Sequence, residues 1–287
     1  MRIGFTYYAA SLGLALLMAC SPADAPETRR SDSAQTPPSR AQRVVSLDYC
    51  ADQYALKMLE PEHILALSPD AQAPFSYMRE HAKDLPRVRA NAEDVIVLKP
   101  DLIIRSYGGG PNATQFFERA GIPVVNIGWA GDIDGIKAVT MDMANALGVA
   151  DKGKAIIDEM NKRLAALDKH DNTPSTLYVT PAGATTGPGS LIDEMMMAAG
   201  LENFETAAGW RSLPLERLAY ERPDMIAAAF FDTNKAERNG WSAARHPIAR
   251  QQMENLPTVE LEGSWVSCGA WFAIDAIEAL AQSKGVQ

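Results

Sequence analysis

The stretch EDVIVLKPDLII, at residues 93–104, is repeated in outline by ERLAYERPDMIA at residues 216–227. In both stretches a Glu opens a short run with apolar residues, a Pro-Asp pair follows, and a strand-like segment comes next. Because proline disfavours helical geometry in the preceding residue, we expect Lys99 and Arg222 to end two short helices. The apolar segment after each Asp is typical of a buried strand. The copies lie too far apart for a solenoid, and they predict two similar lobes with a cleft between them.

Length and composition agree with two globular lobes. The chain has 287 residues, of which 47% are hydrophobic and 22% charged, as in ordinary soluble proteins with real cores. The formal net charge of −9 argues against nucleic-acid binding, which needs a basic face. The histidines are isolated in the sequence and no HExxH or CxxC spacing occurs, so no dedicated metal site is predicted.

The N-terminus predicts export. Residues 1–20 contain Arg2, an apolar stretch, and the ending Leu-Met-Ala-Cys at Cys20, which resembles a signal peptide with a lipobox. We expect Cys20 to carry a lipid anchor; cleavage after Ala25 is the alternative and would release a free periplasmic protein. Residues 21–42 lack large apolar side chains and are predicted to be a flexible tether.

Strands alternate with helices from residue 43 onward, which predicts an α/β fold with parallel sheets. We expect two Rossmann-like lobes, at residues 43–135 and 171–287, with connecting helices at 136–170. The second connecting helix is predicted from about Asp151 to about His170, a span of about 30 Å. Ligands of parallel sheets bind at the carboxyl ends of the strands. One wall of the cleft is therefore predicted to contain Tyr49, Tyr107, Gly108, Gly109 and Trp129.

Four segments together resemble a known family. They are the opening RVVSL, NAEDVIVLKPDLII, LIDEMMMAAGLENF and LPLERLAYERPDMI, and they are similar to class III substrate-binding proteins of ABC importers, the iron-siderophore and vitamin B12 binding family. The resemblance covers about residues 43–287. It implies two lobes joined by a long helix, ligand in the groove, and a Glu on each lobe that contacts arginines of the permease. The matching residues are Glu93 and Glu216; alternatively, these Glu side chains only complement helix N-termini.

The resemblance also implies cleft residues. The segment IIRSYGGGPN is similar to a strand and glycine loop of vitamin B12 binders, with an aromatic residue at Tyr107. Trp210 and Trp265 match the positions of cleft aromatics, and Trp271 follows closely. Aromatic faces suit a large flat ligand, although each Trp alone is equally typical of core packing. Three arginines are predicted either to pair with an anionic chelate or to lie in solvent: Arg89, Arg105 and Arg211.

Two cysteines remain if Cys20 is lipidated. Cys50 follows the first predicted strand, and Cys268 lies between Trp265 and Trp271. In an oxidising compartment a disulfide between them is expected, and it would join the lobes at the floor of the cleft. Two buried free thiols and a thiolate contact to a bound metal complex are the alternatives.

The favoured function is therefore that of a binding protein. We expect a lipoprotein that captures a ferric siderophore or corrinoid and delivers it to an ABC permease, with no catalytic residues and no cofactor of its own. A two-lobed α/β enzyme and a lipoprotein that binds only a protein partner are the alternatives. No GxSxG or nucleotide fingerprint supports the enzyme. Haem is the least favoured cargo, because no His or Tyr axial ligand is evident from the sequence.

Overall fold

The computed structural model describes residues 41, 43–167, 173–230 and 246–283. The predicted signal peptide and lipidated Cys20 lie outside these ranges. Of the predicted tether, Ala41 is described, and it is buried in the core. No helix among the described residues is both long and apolar enough to cross a membrane.

The first lobe is a parallel four-stranded sheet with three helices. Its strands are β1 (Val44–Ser46), β2 (Ile64–Ala66), β3 (Leu102–Arg105) and β4 (Val124–Asn126), and its helices are α1 (Tyr49–Met58), α2 (Ala92–Ile96) and α3 (Ala113–Arg119). The strand order is β2-β1-β3-β4. Gly121 follows α3 with a φ of +77°, which is the left-handed conformation typical of a helix C-terminal cap.

Two helices lead from the first lobe to the second. They are α4 (Ile133–Ala146) and α5 (Ala150–Ala165), which pack against each other, while α4 also contacts α1 and α6 (Leu191–Ala198). Helix α5 is shorter than predicted: Ala166 caps it and Leu167 is already outside the helix. Its 16 residues span about 24 Å at 1.5 Å per residue. His170, the predicted end, lies outside the described residues.

The second lobe repeats the parallel sheet and adds a separate two-stranded antiparallel sheet. Its strands are β5 (Ser175–Val179), β6 (Ala184–Thr186), β7 (Glu202–Asn203), β8 (Trp210–Ser212), β9 (Met225–Phe230) and β10 (Thr258–Glu262). The main sheet has the order β10-β9-β5-β7, and β6 and β8 form an antiparallel pair. The remaining helices are α7 (Leu215–Leu218), α8 (Pro247–Asn255), α9 (Gly263–Val266) and α10 (Ala273–Ser283).

The repeated phrase forms the same structure in both lobes. Each copy gives a short helix, α2 or α7, followed by an interior strand, β3 or β9. The Asp of each Pro-Asp pair then binds the start of the neighbouring strand. The Asp101 carboxylate accepts the Arg43 N–H at 3.0 Å, and the Asp224 carboxylate accepts the Ser175 N–H at 2.8 Å. The predicted α/β fold with two parallel-sheet lobes is confirmed.

The predicted helix ends are wrong. Helix α2 ends at Ile96 and helix α7 at Leu218, both before the residue that precedes proline. In the first copy the chain must turn back into β3, and Lys99 makes that turn in the left-handed region with a φ of 52°. The Arg43 guanidinium donates to the Lys99 carbonyl at 3.0 Å and holds the turn in place.

Alternating strand residues divide the core into three clusters. In β1, Val44 belongs to a central cluster shared by both lobes, whereas Val45 belongs to an outer cluster of the first lobe. In β5, Tyr178 points to the central cluster and Leu177 to an outer cluster of the second lobe. The short repeat helices cover these outer clusters. The cleft edge and the repeat helices are thus separate parts of each lobe.

Candidate functional site

A cavity of about 470 Å³ lies between the lobes. Its wall is made by segments that follow the carboxyl ends of strands in both sheets, as expected for parallel sheets. The aromatic side chains of the wall are Tyr49, Tyr54, Tyr107, Trp129, Tyr178 and Trp210. The rest of the wall comes mainly from small and apolar residues, including residues 127–131, 189–192 and 266–269.

A buried carboxylate organises the first-lobe wall. Asp48 follows β1, and its Oδ1 accepts the Ala51 N–H at 3.0 Å, which caps α1. Its Oδ2 accepts the N–H groups of Ser106, Tyr107 and Gly108 at 2.6, 3.0 and 2.9 Å. Asp48 therefore fixes the loop after β3 against the start of α1, and with it the positions of Tyr49 and Tyr107.

The glycines of this loop allow its close approach to β1. A Cβ atom on Gly108 would lie 2.1 Å from the Leu47 carbonyl oxygen, and Gly109 has a φ of +80°. Neither glycine is part of the cavity wall. Both glycines let the loop hold Tyr107 in position. Because they lie outside the cavity wall, the structure does not support the prediction that they contact the ligand.

Tyr49 connects the two lobes across the cavity. Its hydroxyl donates to the Ser267 carbonyl at 3.0 Å, and its ring meets Phe75 and Tyr107 edge-on, with centroids 4.9 and 6.0 Å away. Burial raises the pKa of the Tyr49 hydroxyl, and the nearby carboxylates Asp48 and Asp70 raise it further. Tyr49 thus acts as a neutral donor that holds its ring against the wall.

The second-lobe wall carries a tyrosine and an exposed tryptophan. Tyr178, at the end of β5, is 1% exposed and meets the Trp210 ring edge-on at 5.9 Å. The pairing of β6 with β8 places Trp210 there, and its side chain is 59% exposed. From the first lobe, Trp129 after β4 is 91% exposed. Large aromatic faces from both lobes are therefore available to a ligand.

The structure confirms the Cys50–Cys268 disulfide, with Cα atoms 5.9 Å apart. Cys50 lies in α1 of the first lobe, and Cys268 follows α9 of the second lobe. Both residues line the cavity. The bond therefore links the lobes at the cavity wall, and the alternatives of free thiols or a metal-bound thiolate do not apply to this state.

The other predicted cleft residues lie elsewhere. Arg89 is on the surface, where its Nε donates to the Asp94 carboxylate at 2.8 Å. Trp265 is half-buried against the central cluster. Trp271 is 6% exposed and packs edge-on against Tyr54 at 5.2 Å. Core packing, the alternative stated for a single Trp, describes both tryptophans.

Arg105 and Arg211 are engaged within the protein. Arg105 is buried and donates to the Gly108 carbonyl at 2.7 Å and the Gly110 carbonyl at 2.9 Å. Arg211 pairs with Glu205 at 3.4 Å. Neither arginine lines the cavity.

Several wall residues were not identified from the sequence. Tyr54 lies inside α1, and Tyr178 lies within an apolar strand, where an aromatic residue is typical of the core. Ser106 and Ser267 have no signature at all. For Tyr178 a usable signal exists: it is near the carboxyl end of β5, the edge where ligands of parallel sheets bind.

The two repeat glutamates are exposed and lie at matching positions. Glu93 is in the first turn of α2, and Glu216 is in the first turn of α7. Neither carboxylate forms an ion pair with any described residue. Among the described residues there is also no cluster of His, Cys, Asp and Glu that could hold a metal ion.

The comparisons with known proteins agree with this geometry. Residues 44–239 match the family model described as periplasmic binding protein. The chain belongs to the periplasmic binding protein family. It has the fold of class III substrate-binding proteins of ABC importers, which bind small molecules outside the cytoplasm and deliver them to a permease. No curated protein matched the sequence.

Solved structures share the fold at low identity. The periplasmic heme-binding protein RhuT from Roseiflexus sp. RS-1 is 22% identical with a TM-score of 0.64, over 85% of this chain and 99% of that one. A periplasmic heme-binding protein from Pseudomonas aeruginosa is 20% identical with a TM-score of 0.64, over 85% and 92%. The vitamin B12 binding protein BtuF of Vibrio cholerae is 18% identical with a TM-score of 0.56, over 86% and 97%.

Proposed function

We propose that this protein captures a ferric siderophore or a corrinoid in the cavity between its lobes and delivers it to an ABC permease. The observation that carries the proposal is the cavity itself, which is about 470 Å³ and receives aromatic side chains from both lobes. Aromatic walls with a few polar groups suit a large ligand that buries most of its surface. The protein acts by binding and release and not as an enzyme.

The tyrosines favour a metal that is already fully chelated. Four tyrosines reach the cavity, of which Tyr49 and Tyr107 were predicted from the sequence and Tyr54 and Tyr178 were not. The Tyr49 hydroxyl already donates to the Ser267 carbonyl at 3.0 Å, and the Tyr54 and Tyr178 side chains are each 1% exposed, so three of the four hydroxyls are engaged or buried and are not presented to a metal. Haem requires an axial ligand from the protein, whereas a siderophore or corrinoid brings its own ligands. The ligands named for the solved haem binders are therefore less favoured here.

Tryptophan fluorescence tests the cargo. Protein lacking residues 1–20 is titrated with cyanocobalamin, a ferric hydroxamate siderophore, a ferric catecholate siderophore and haemin, with free tryptophan as the control for light absorption by the ligand. We expect saturable quenching by one of the first three. Saturation by haemin alone would overturn the cargo assignment, and no saturation by any ligand would favour a lipoprotein that binds only a protein partner.

Matched variants test the site by calorimetry. Trp129→Leu and Trp210→Leu each remove an exposed aromatic face from one lobe and are expected to weaken binding by about tenfold or more. Trp265→Phe is the control, because Trp265 packs against the core and not on the cavity. Equal loss in all three variants would contradict the proposed site.

We further propose that Glu93 and Glu216 contact cationic residues of the permease. One exposed carboxylate on each lobe gives a symmetric dimer two equivalent charged contacts. The variant Glu93→Gln/Glu216→Gln is expected to retain cargo affinity and to lose uptake in cells that lack the native copy. Glu118→Gln/Glu202→Gln removes exposed charge elsewhere on both lobes and should retain uptake. Loss of cargo affinity in the first variant would contradict this role.

The lipobox supports a lipid anchor on Cys20, which would hold the protein at a membrane surface within the periplasm. Mass spectrometry of the mature protein tests this. Acylation should appear on Cys20, and a mature chain that begins at Pro26 would instead show ordinary cleavage after Ala25.

A further inference from the structure

Two exposed apolar side chains occupy matching positions in the repeat. Val97 is 73% exposed and follows Glu93 by one helical turn; Tyr220 is 91% exposed and follows Glu216 by one turn. Single exposed apolar residues are common on protein surfaces. Their occurrence at the same place on both lobes is what requires an explanation.

Each apolar side chain lies on the same solvent-facing side as the glutamate. Residues one turn apart on a helix are neighbours on its surface. The turn of α7 continues past the helix, because the Tyr220 N–H donates to the Arg217 carbonyl at 3.0 Å. In α2, Val97 closes the helix with helical backbone angles. The opposite faces hold Val95 and Leu218, which are buried in the outer clusters.

The charges beside these pairs are arranged alike. Next to Glu93, the Asp94 carboxylate is bound by Arg89 at 2.8 Å. Near Glu216, the Glu221 carboxylate is bound by Arg217 at 2.6 Å. Each copy of the repeat thus has one acid that is paired within the protein and one exposed acid without an ion-pair partner in the described ranges. The exposed acid lies beside an exposed apolar group.

We propose that Val97 and Tyr220 form the apolar half of two matched contacts with the permease dimer. The proposal rests on the proposed function, which already assigns Glu93 and Glu216 to that partner. A partner with two equivalent sites, each with a cation beside an apolar recess, fits one patch on each lobe. An apolar group buried at the centre of the contact also keeps water away from the neighbouring ion pair between the glutamate and the partner's cation. That ion pair is then less screened and therefore stronger.

Binding to the purified transporter in lipid nanodiscs tests the proposal. The probe is the permease–ATPase complex that the wild-type protein stimulates, and the readouts are the dissociation constant and ATPase stimulation. Val97→Ser/Tyr220→Ser is expected to weaken binding by roughly tenfold or more while cargo affinity stays unchanged. Val97→Ile/Tyr220→Phe should bind as wild type does. Phe116→Ser/Met197→Ser, which removes exposed apolar groups elsewhere, is the matched control.

The possible results separate the two proposals. If Glu93→Gln/Glu216→Gln weakens binding and the serine variant does not, the apolar contact is overturned and the proposed function stands. If neither variant changes binding, both the permease contact of the glutamates and the apolar contact fail. Binding to empty nanodiscs that depends on Val97 and Tyr220 would assign them to the lipid surface instead. Concentration-dependent dimers that the serine variant abolishes would assign them to self-association.

Discussion

The two lobes are most alike at the amino ends of their strands and least alike at the carboxyl ends. At the amino ends, Asp101 and Asp224 bind the N–H groups of Arg43 and Ser175 in the same way. At the carboxyl ends, the first lobe uses the buried Asp48, whereas the second uses the antiparallel pair of β6 and β8 that presents Trp210. The amino ends, which the two lobes share, support the sheets and the exposed glutamates. The carboxyl ends, which differ between the lobes, form a cavity with two walls of different shape.

The largest predicted effect lies at Asp48. In Asp48→Asn only one side-chain oxygen remains to accept hydrogen bonds from four buried N–H groups, and the new amide group is a donor that faces these donors. The free energy of unfolding should therefore fall by about 3–5 kcal/mol. Asp224→Asn affects one exposed hydrogen bond and should cost about 1 kcal/mol or less. Urea denaturation of both variants checks the comparison. Equal losses of unfolding free energy in the two variants would show that the fold depends on Asp48 no more than on Asp224.

The disulfide gives the next largest effect. It joins the lobes at the cavity through Cys50 and Cys268, so Cys50→Ser/Cys268→Ser should lower the free energy of unfolding by about 2–4 kcal/mol. Reductant should destabilise the wild type by a similar amount and leave the double variant unchanged. If reductant has no effect on the wild type under conditions that expose the thiols to labelling, the bond does not support the arrangement of the lobes.

A smaller, pH-dependent effect is confined to the first lobe. Burial raises the pKa of Asp52 to about 6, although two hydrogen bonds from Ser68 oppose the shift. The folded state therefore holds a proton that the unfolded state releases near pH 4. The resulting stabilisation is complete below about pH 4 and is lost as the pH rises through about 6, and it amounts to about 3 kcal/mol at most.

Asp52→Asn should remove this dependence. The difference in unfolding free energy between variant and wild type is measured by urea denaturation from pH 4 to pH 7.5. It should shift in favour of the variant as the pH rises. A constant difference across this range would show that Asp52 does not titrate within it.

The sequence predicted the features that depend on local pattern. The Glu and Pro-Asp repeat predicted both short helices, both interior strands and the two lobes. Local pattern did not predict the exact helix ends, because the reversal at Lys99 depends on contacts from Arg43, distant in sequence. It did not predict the β6–β8 pairing for the same reason.

The cavity wall was predicted only in part. Tyr49, Tyr107, Trp129 and Trp210 were predicted and line the cavity. Trp265 and Trp271 were predicted as well, but they pack against the core, since a tryptophan has the same local signature in both environments. Asp48 was missed as the organising residue because its three long-range hydrogen bonds are set by tertiary structure.

The central claim is that a chelate binds between the two different cavity walls of the lobes and away from the repeat helices α2 and α7. Hydrogen exchange with and without cargo tests this claim most directly. With whichever of cyanocobalamin, the ferric hydroxamate and the ferric catecholate saturates, slower exchange is predicted at residues 106–107 and 128–131 of the first lobe and at 209–210 and 266–269 of the second. Exchange in α2 and α7 should stay unchanged. Protection confined to one lobe, or centred on α2 and α7, would contradict the account.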